Sequence, residues 1–593
     1  MGLVTKRGGL LPLCLLILLL GLSGCGPSTP TNTVPTVPTS SGTEGEKEAG
    51  TTPAGEDPST AGNQTTIRFI DVTKSSGVNF TYTNDQEKEN RVIVESLGGG
   101  AGVIDFDRDG LLDLFCVGGG YYKGPKEMGG HPSALFRNRG DWKYENISAP
   151  AGGGFAGDRY KHGCQMADYD NDGFQDFIVC GYGGLQFWRN MGDGTFAESH
   201  LPAGLTDKLW SSTAAWGDFN ADGYLDLYVG HYANWSFENH PFCPGDVKGQ
   251  REVCPPKKFT GLDDTLYMNQ GDGTFVDRSK ENGLVPEGKC LGIVTGDFDL
   301  DGDQDIYVCN DTVENFLYIN DGKGVFAEEG GLRGVATDDQ GMPNGSMGVD
   351  LGDYNLDGLP DIWVANYQQE SNALYRQDQG GFFTHLSRPL GITAVGDLFV
   401  GFGTSFIDFN RDGYEDILVA NGHVEFFPSD CPIAQEPLIL MNQKGTSFSR
   451  LRFPANTYFG GKYISRGLVV ADLDNDGDLD LAVVQQNSPI TMLRNDSQDQ
   501  GEFLEVGLRG NGSNRDGIGA RLELTTSMGK LTRFIKSGPS YLSQCDQRAV
   551  WGFPAGTKLE SLSIIWPSGA KQLLESPAPG SRLQLVEPLL STK

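Results

Sequence analysis

From about residue 66 the chain is a succession of short apolar runs separated by turns rich in Gly, Asp and Asn. The runs DLFCVGG, DFIVCGY, DLYVGHY, DIYVCND, DIWVANY, DILVANG and DLAVVQQ have strand length and are rich in β-branched and aromatic residues. Small and apolar residues precede each of them, as in GGGAGVI or SMGVDLG. Roughly 20 residues after most of them comes a second pattern, seen in FWRNMGDGTFAE, LYMNQGDGTFVD and LYINDGKGVFAE. A Gly-rich turn between two apolar runs predicts a hairpin. Each unit therefore reads strand, polar loop, strand, loop, strand, hairpin, strand. Four antiparallel strands at this period describe a propeller blade, with insertions collected in its loops.

The polar loop between the first two strands is acidic, and it occurs seven times. The copies are DFDRDGLLD, DYDNDGFQD, DFNADGYLD, DFDLDGDQD, DYNLDGLPD, DFNRDGYED and DLDNDGDLD, beginning 50 to 79 residues apart. Six units are followed by their own fourth strand, while the seventh reaches ITMLRND and then runs into different sequence. Before the first acidic loop stands IRFIDVTKSSGV, which looks like an orphan fourth strand. Residues 67–73 are expected to complete the seventh blade, since a ring closed by distant strands leaves no sheet edge to pair with other chains. The fold class predicted is all-β: a seven-bladed propeller over 66–498, followed by a small β-rich domain over 499–588.

The ends and the bulk charge restrict the setting. Lys6 and Arg7 precede an apolar run from Leu10 to Leu22, too short and wrongly flanked for a membrane span. It ends in Leu22-Ser23-Gly24-Cys25, which resembles a bacterial lipobox, so 1–25 reads as a lipoprotein signal peptide with Cys25 carrying the lipid. The alternative is an ordinary signal peptide with a chance cysteine. Gly26 after the cysteine, by resemblance to Gram-negative lipoproteins, favours the outer membrane or cell surface. Residues 26–65 are Pro, Thr, Ser and Gly with almost no large apolar side chain, a tether that cannot offset its ordering entropy. With 78 acidic against 46 basic residues and a net charge of −32, no nucleic-acid footprint exists. An oxidising envelope allows disulfides, and Cys243 and Cys254, flanking CPGDVKGQREVC, are the candidate pair. Cys116, Cys180 and Cys309 follow acidic loops and read as small buried apolar residues.

The acidic loops with flanking GDF, GDY and GDGTF resemble FG-GAP/VCBS repeats, the propeller units of integrin α-subunits and many bacterial surface proteins. In the tail, SNRDGIGARLEL, SGPSYLSQCDQRAVWGF and LSIIWPSGAKQ resemble the ASPIC/UnbV domain of cartilage-acidic-protein-like chains. The two resemblances cover roughly 66–588, and they imply calcium between the first two strands of each blade.

The residues themselves point to the same metal. Calcium takes six to eight oxygens. A nine-residue loop supplies side chains from positions 1, 3, 5 and 9 and a backbone carbonyl from position 7, with glycine at position 6 allowing the reversal. The expected ligands are Asp105, Asp107, Asp109 and Asp113; Asp168, Asp170, Asp172 and Asp176; Asp218, Asn220, Asp222 and Asp226; and Asp297, Asp299, Asp301 and Asp305. The remaining loops offer Asp353, Asn355, Asp357 and Asp361; Asp408, Asn410, Asp412 and Asp416; and Asp472, Asp474, Asp476 and Asp480. Asn at position 3 keeps an oxygen and drops a charge, so those three sites are expected to be weaker. Seven acidic turns without metal would leave clustered carboxylates repelling one another at a cost repeated seven times.

Function is expected on the opposite face, where long insertions collect. Blade 3 contributes Trp235, Phe237, His240, Phe242, Cys243 and Cys254, and blade 6 contributes His423, Phe426, Phe427 and Cys431. Aromatics on loops over a rigid scaffold suit ligand binding, and Trp235, Phe237, His240, His423 and Phe426 are the candidates. The alternative is that they pack on each other and cover the ring. No metalloprotease helix, nucleophile elbow or phosphate-binding glycine loop occurs. A non-enzymatic, calcium-stabilised envelope protein that binds a protein or polysaccharide is therefore expected, attached to membrane by its N-terminal lipid alone. A calcium-dependent polysaccharide lyase or hydrolase on the same scaffold is the second possibility. Ser540-Tyr541-Leu542-Ser543-Gln544 in the tail has no chemistry that its residue types define.

Overall fold

Every acidic loop joins the first two strands of a four-stranded antiparallel sheet. The computed structural model describes residues 67–589 apart from 200, 201, 203, 246–248, 397, 430, 499 and 500. The expected signal peptide, Cys25 and the tether to residue 65 lie outside the described residues. The sheets run through Ala101–Ile104, Asp113–Cys116, Ala134–Asn138 and Tyr144–Asn146; then Tyr160–Ala167, Asp176–Tyr182, Gln186–Asn190 and Phe196–Ser199; then Ser211–Gly217, Asp226–His231, Thr265–Asn269 and Phe275–Asp277. The next three begin at Cys290–Gly296, Ser346–Gly352 and Gly401–Ile407. The last holds Ser465–Ala471, Asp480–Gln485 and Thr491–Asn495, and its fourth strand is Phe69–Asp71, with Phe69 opposite Asn495.

The second strands are apolar at consecutive positions because both faces of each sheet are covered. In Asp305–Asn310, Ile306 and Val308 join an apolar cluster shared with the preceding sheet, while Tyr307 and Cys309 join one shared with the following sheet. Such clusters lie between consecutive sheets, and one joins the last sheet (Val469, Ala482, Met492) to the first (Ala101, Leu114, Phe136). The first strands lie side by side in chain order, and that of the last sheet also meets that of the first.

A side-chain bond fixes neighbouring sheets to one another. The third strand of six sheets ends in Asn; in the fifth, Ala373–Asp378, Gln377 takes that place one residue before the end. Its backbone N–H donates to the position-9 carboxylate of its own loop, 2.7 Å for Asn138 to Asp113. In every sheet but the last its side-chain amide donates to the position-2 carbonyl of the preceding sheet's loop: Asn190 to Phe106 at 2.9 Å, Asn269 to Tyr169 at 2.9 Å, Asn320 to Phe219 at 2.8 Å, Asn442 to Tyr354 at 2.8 Å. Gln377 reaches Phe298 in the same way. Asn138 donates to the carbonyl of Leu473 at 2.9 Å, so the first sheet is tied to the last.

The tail consists of a three-stranded sheet (Glu502–Arg509, Ala549–Phe553, Ser581–Val586) and a four-stranded sheet (Arg521–Thr526, Gly529–Phe534, Leu559–Ile565, Lys571–Glu575). Leu504, Trp551, Phe553, Leu522, Leu562 and Ile564 share its core. Between Phe534 and Ala549 the chain leaves these sheets and threads through the middle of the propeller sheets. Ser537 accepts from Trp216 N–H and pairs with Thr295. Ser540 pairs with Val349, Leu542 accepts from Cys164 N–H, Gln544 pairs with Ala101 and Val103, and Asp546 donates to Val470. The Tyr541 ring meets Phe402 edge-on at 4.9 Å. This one segment thus touches the first strand of every sheet. Its approach demands glycine in those strands: a Cβ on Gly100 would lie 2.0 Å, and on Gly163 2.6 Å, from the carbonyl oxygen of Leu542.

Asn138→Ala removes the tie between first and last sheets and leaves the buried Leu473 carbonyl unpaired, at a cost of about 1–3 kcal/mol. Asn495, whose amide reaches only Leu479 of its own sheet, is the comparison. Thermal melts should show Asn138→Ala lowered more than Asn495→Ala; equal drops would remove the special role of the Asn138 bond.

Candidate metal centres and the insertion face

The acidic loops are shaped by their own carboxylates. In the first, position 1 (Asp105) accepts from the N–H groups of Asp109 at 3.0 Å and Gly110 at 3.1 Å, and position 9 (Asp113) accepts from Phe106 at 3.3 Å. The same bonds recur in the seventh loop, from Asp476 and Gly477 to Asp472 and from Leu473 to Asp480. The reversal uses two left-handed residues per loop. One is the glycine at position 6; the other is position 4, where Arg108, Asn171, Ala221, Leu300, Leu356, Arg411 and Asn475 all have φ between 51° and 62°. A left-handed non-glycine residue at the same place in all seven loops is strain sustained by its surroundings.

Carboxylate oxygens from positions 1, 3 and 9 converge in four loops: Asp105, Asp107 and Asp113; Asp168, Asp170 and Asp176; Asp297, Asp299 and Asp305; Asp472, Asp474 and Asp480. In each group they lie within 4.8 Å of one another. Oxygens bound at about 2.4 Å to a common calcium ion are at most about 4.8 Å apart, so these trios fit that ion. The position-5 carboxylates Asp109, Asp172, Asp301 and Asp476 stand outside the trios. The loops of Asp218, Asp222 and Asp226, of Asp353, Asp357 and Asp361, and of Asp408, Asp412 and Asp416 bring together no such carboxylate trio.

The structure also shows how charge is distributed. In three of the four-Asp loops an arginine contacts position 3: Arg137 to Asp107 at 2.5 Å, Arg189 to Asp170 at 2.5 Å, Arg333 to Asp299 at 3.2 Å. In the seventh, Trp142 Nε1 donates to Asp474 at 2.6 Å and Arg582 lies 3.4 Å from Asp472. Where position 3 is Asn, its amide itself donates to position 5: Asn220 to Asp222 at 2.9 Å, Asn355 to Asp357 at 2.8 Å, Asn410 to Asp412 at 3.1 Å. Burial nevertheless dominates. It pushes Asp113 up to about 8, Asp176 to about 9, and Asp168 and Asp297 to about 7, with neighbouring carboxylates adding to the rise.

The tail rests on this acidic-loop side. Lys536 is 2.5 Å from Asp350 and Arg533 is 3.3 Å from Glu415. Arg521 donates to the Gly358 carbonyl at 2.9 Å, and Asp516 accepts from Asp168 N–H at 2.8 Å.

On the insertion side, most of the expected ligand contacts are packed inward. Trp235 is 2% exposed, and its indole donates to His240 Nδ1 at 3.1 Å. His423 is 1% exposed and lies 3.3 Å from the Tyr367 hydroxyl. Phe237 packs edge-on against Trp235 and Tyr122, and Phe426 lies under the Arg91 guanidinium at 3.8 Å. Trp235 and His423 therefore present no surface to a partner, because the insertions interlock over the ring. Cys243 and Cys254 form a disulfide with Cα atoms 5.3 Å apart. Glu252 holds the two insertions together by accepting from the N–H groups of Phe426 and Phe427 at 3.0–3.1 Å. Phe242 and Phe427 remain exposed.

A profile of FG-GAP-like repeats matches residues 105–179, 168–229, 260–308, 297–364 and 353–419, and one for ASPIC and UnbV matches 510–590. The chain thus carries FG-GAP repeats followed by an ASPIC/UnbV domain. It has weak homology to cartilage acidic protein 1. The Mus musculus protein is 24% identical over 507 residues, covering 79% of this chain and 70% of that one. The Homo sapiens protein is 23% identical over 530 residues, covering 82% and 71%. A solved Agrocybe aegerita lectin, described as recognising non-reducing terminal N-acetylglucosamine, is 17% identical over 60% of this chain and 79% of its own, at a TM-score of 0.38. That score supports no argument.

The raised carboxylates give a signed pH dependence. Without metal, the folded chain binds protons near neutral pH that the unfolded chain, with carboxylates near 4, does not. Its stability should therefore rise as pH falls from about 9 to about 6, in the range of the folded values of Asp176, Asp113, Asp168 and Asp297. Calcium competes with those protons, so saturating calcium should raise the melting temperature most at the higher pH. Melts at the two pH values with chelator and with calcium check this; a melting temperature indifferent to calcium at both would refute a metal role.

Proposed function

We propose that the chain is a calcium-stabilised, lipid-anchored binding protein of the bacterial envelope, displaying a seven-bladed propeller to a protein or polysaccharide. The ring reading is supported by the adjacency of all first strands, including last to first, and by the Asn138–Leu473 bond. The calcium reading is supported by the converging trios and by their buried, raised carboxylates.

The observation that carries the binding role is the division of the two faces. The tail occupies the acidic-loop side and its central segment fills the middle of the ring. The strand connections at the opposite end carry large exposed apolar side chains: Phe242 at 62%, Met342 at 59%, Leu398 at 67% and Phe427 at 41%. Apolar side chains held out over interlocked, disulfide-braced insertions suit recognition of a partner. We read the protein as non-enzymatic. The buried histidines serve packing: His162 accepts from Trp210 at 2.9 Å, and His231 is held by Asp207 at 3.1 Å.

A screen of glycans and envelope proteins, with and without calcium, tests this reading. Phe242→Ala with Phe427→Ala should weaken capture of the ligand about tenfold or more while leaving the melting temperature unchanged. Turnover of a polysaccharide by the chain would instead establish the lyase or hydrolase alternative.

A further inference from the structure

Separate from the exposed apolar side chains, the insertion side holds a partly open cavity of about 260 Å³. Its floor is apolar, built from Leu97, Leu291 and Met347, which belong to one buried cluster. Its wall carries Asp311, Glu370 and Glu425, with Lys257 among the lining residues. The acids are built in. Asp311 is 9% exposed, and its carboxylate accepts from the Tyr232 hydroxyl. Glu370 accepts from Gly345 N–H at 2.6 Å. The two carboxylates converge on one point: a Cβ on Gly345 would sit 3.2 Å from Asp311 Oδ1 and 3.3 Å from Glu370 Oε2.

The same wall holds an unsatisfied group. Thr312 lies in the left-handed region at φ 65°, unusual for a β-branched residue, and its buried hydroxyl has no hydrogen-bond partner. Burial raises the carboxyls of both Asp311 and Glu370. The nearby buried cation, Lys289, is turned to the Pro256 carbonyl at 3.1 Å, and Lys257 in the lining offsets only part of the rise in both carboxyls. The wall is thus rich in acceptors, and two of its acids meet above an apolar floor.

We propose that this cavity binds a small primary ammonium ion carried on an apolar body, its N–H groups donating to Asp311 and Glu370 while the body lies on Leu97, Leu291 and Met347. A charged donor between two half-desolvated carboxylates forms strong, directional bonds, and the apolar floor selects what is attached to it. Phosphate and carboxylate ligands are disfavoured by the same wall. This site is independent of the macromolecular partner, so either reading can fail alone.

The test is calorimetric titration of the calcium-loaded full chain with phenethylamine. Phenethyl alcohol keeps the body and removes the charge; the N-trimethyl derivative keeps the charge and removes the donors. Phenethylamine should bind saturably, and both analogues about tenfold more weakly or not at all. Asp311→Asn and Glu370→Gln should each weaken binding about tenfold, and Gly345→Ala, which puts a methyl group between the carboxylates, should abolish it. Glu370→Gln keeps the test open if Asp311→Asn, which alters a buried bond to Tyr232, fails to fold. Absence of saturable amine binding, equal binding of the alcohol or the trimethyl cation, or affinity unchanged in folded Glu370→Gln protein would overturn the assignment.

Discussion

Repulsion among carboxylates packed into a single turn is the constraint to which the rest of the molecule responds. Each acidic loop holds three to five acids, several of them buried, and charge in a low-dielectric surrounding must be compensated. The protein supplies partial compensation from backbone N–H groups, from the third-strand Asn, and from arginines or a Trp indole at position 3. These donors do not restore ordinary acidity: Asp113 and Asp176 stay far above the usual carboxylate range. The deficit is what a divalent cation would remove. The chain also shows internal bookkeeping of charge, because loops with an Asn at position 3 lack the arginine contact and satisfy position 5 with the Asn amide.

The same loops act as joints. Position 9 accepts from the Asn of its own sheet, and that Asn donates to the carbonyl of the loop before. A loop that lost its shape would loosen two sheets at once. A cation held in such a loop would thereby be linked to the packing of the neighbouring sheet, through bonds of under 3 Å. The tail adds a second constraint from the middle outward, since one strand-like segment pairs with first strands across the ring. Its own left-handed residues, Ser540 and Leu542, and the glycines facing it are adapted to that close approach. The motif SGPSYLSQCD is structural on these contacts.

With one end covered by the tail and the middle filled, the proposed recognition surface is left to the insertions. Their described parts are braced by a disulfide, by Glu252 bridging to Phe426 and Phe427, and by Arg91 stacked on Phe426. Rigid loops cost little ordering entropy on binding. The partly open acidic cavity on the same side is a different kind of feature, small and polar on one wall, and it suits a small molecule better than a flat partner.

The chain's own pattern determined the acidic loops, their number, the strands on either side and the hairpin that follows, because those features depend on residues within nine to twenty positions of each other. It also marked the strand near residue 69 as a displaced piece. What the third-strand Asn does was not legible, because its acceptor lies in another sheet, as far as 335 residues away for Asn138 and Leu473. Nor was the direction of the insertion aromatics, since loop composition is the same whether Trp235 faces solvent or a neighbouring ring. The tail segment, the charge-balancing arginines and the convergence of Asp311 with Glu370 are decided by tertiary contacts alone. Local spacing fixes a turn and its carboxylates; only the packing of distant strands fixes which groups are left to meet at the centre and at the open face.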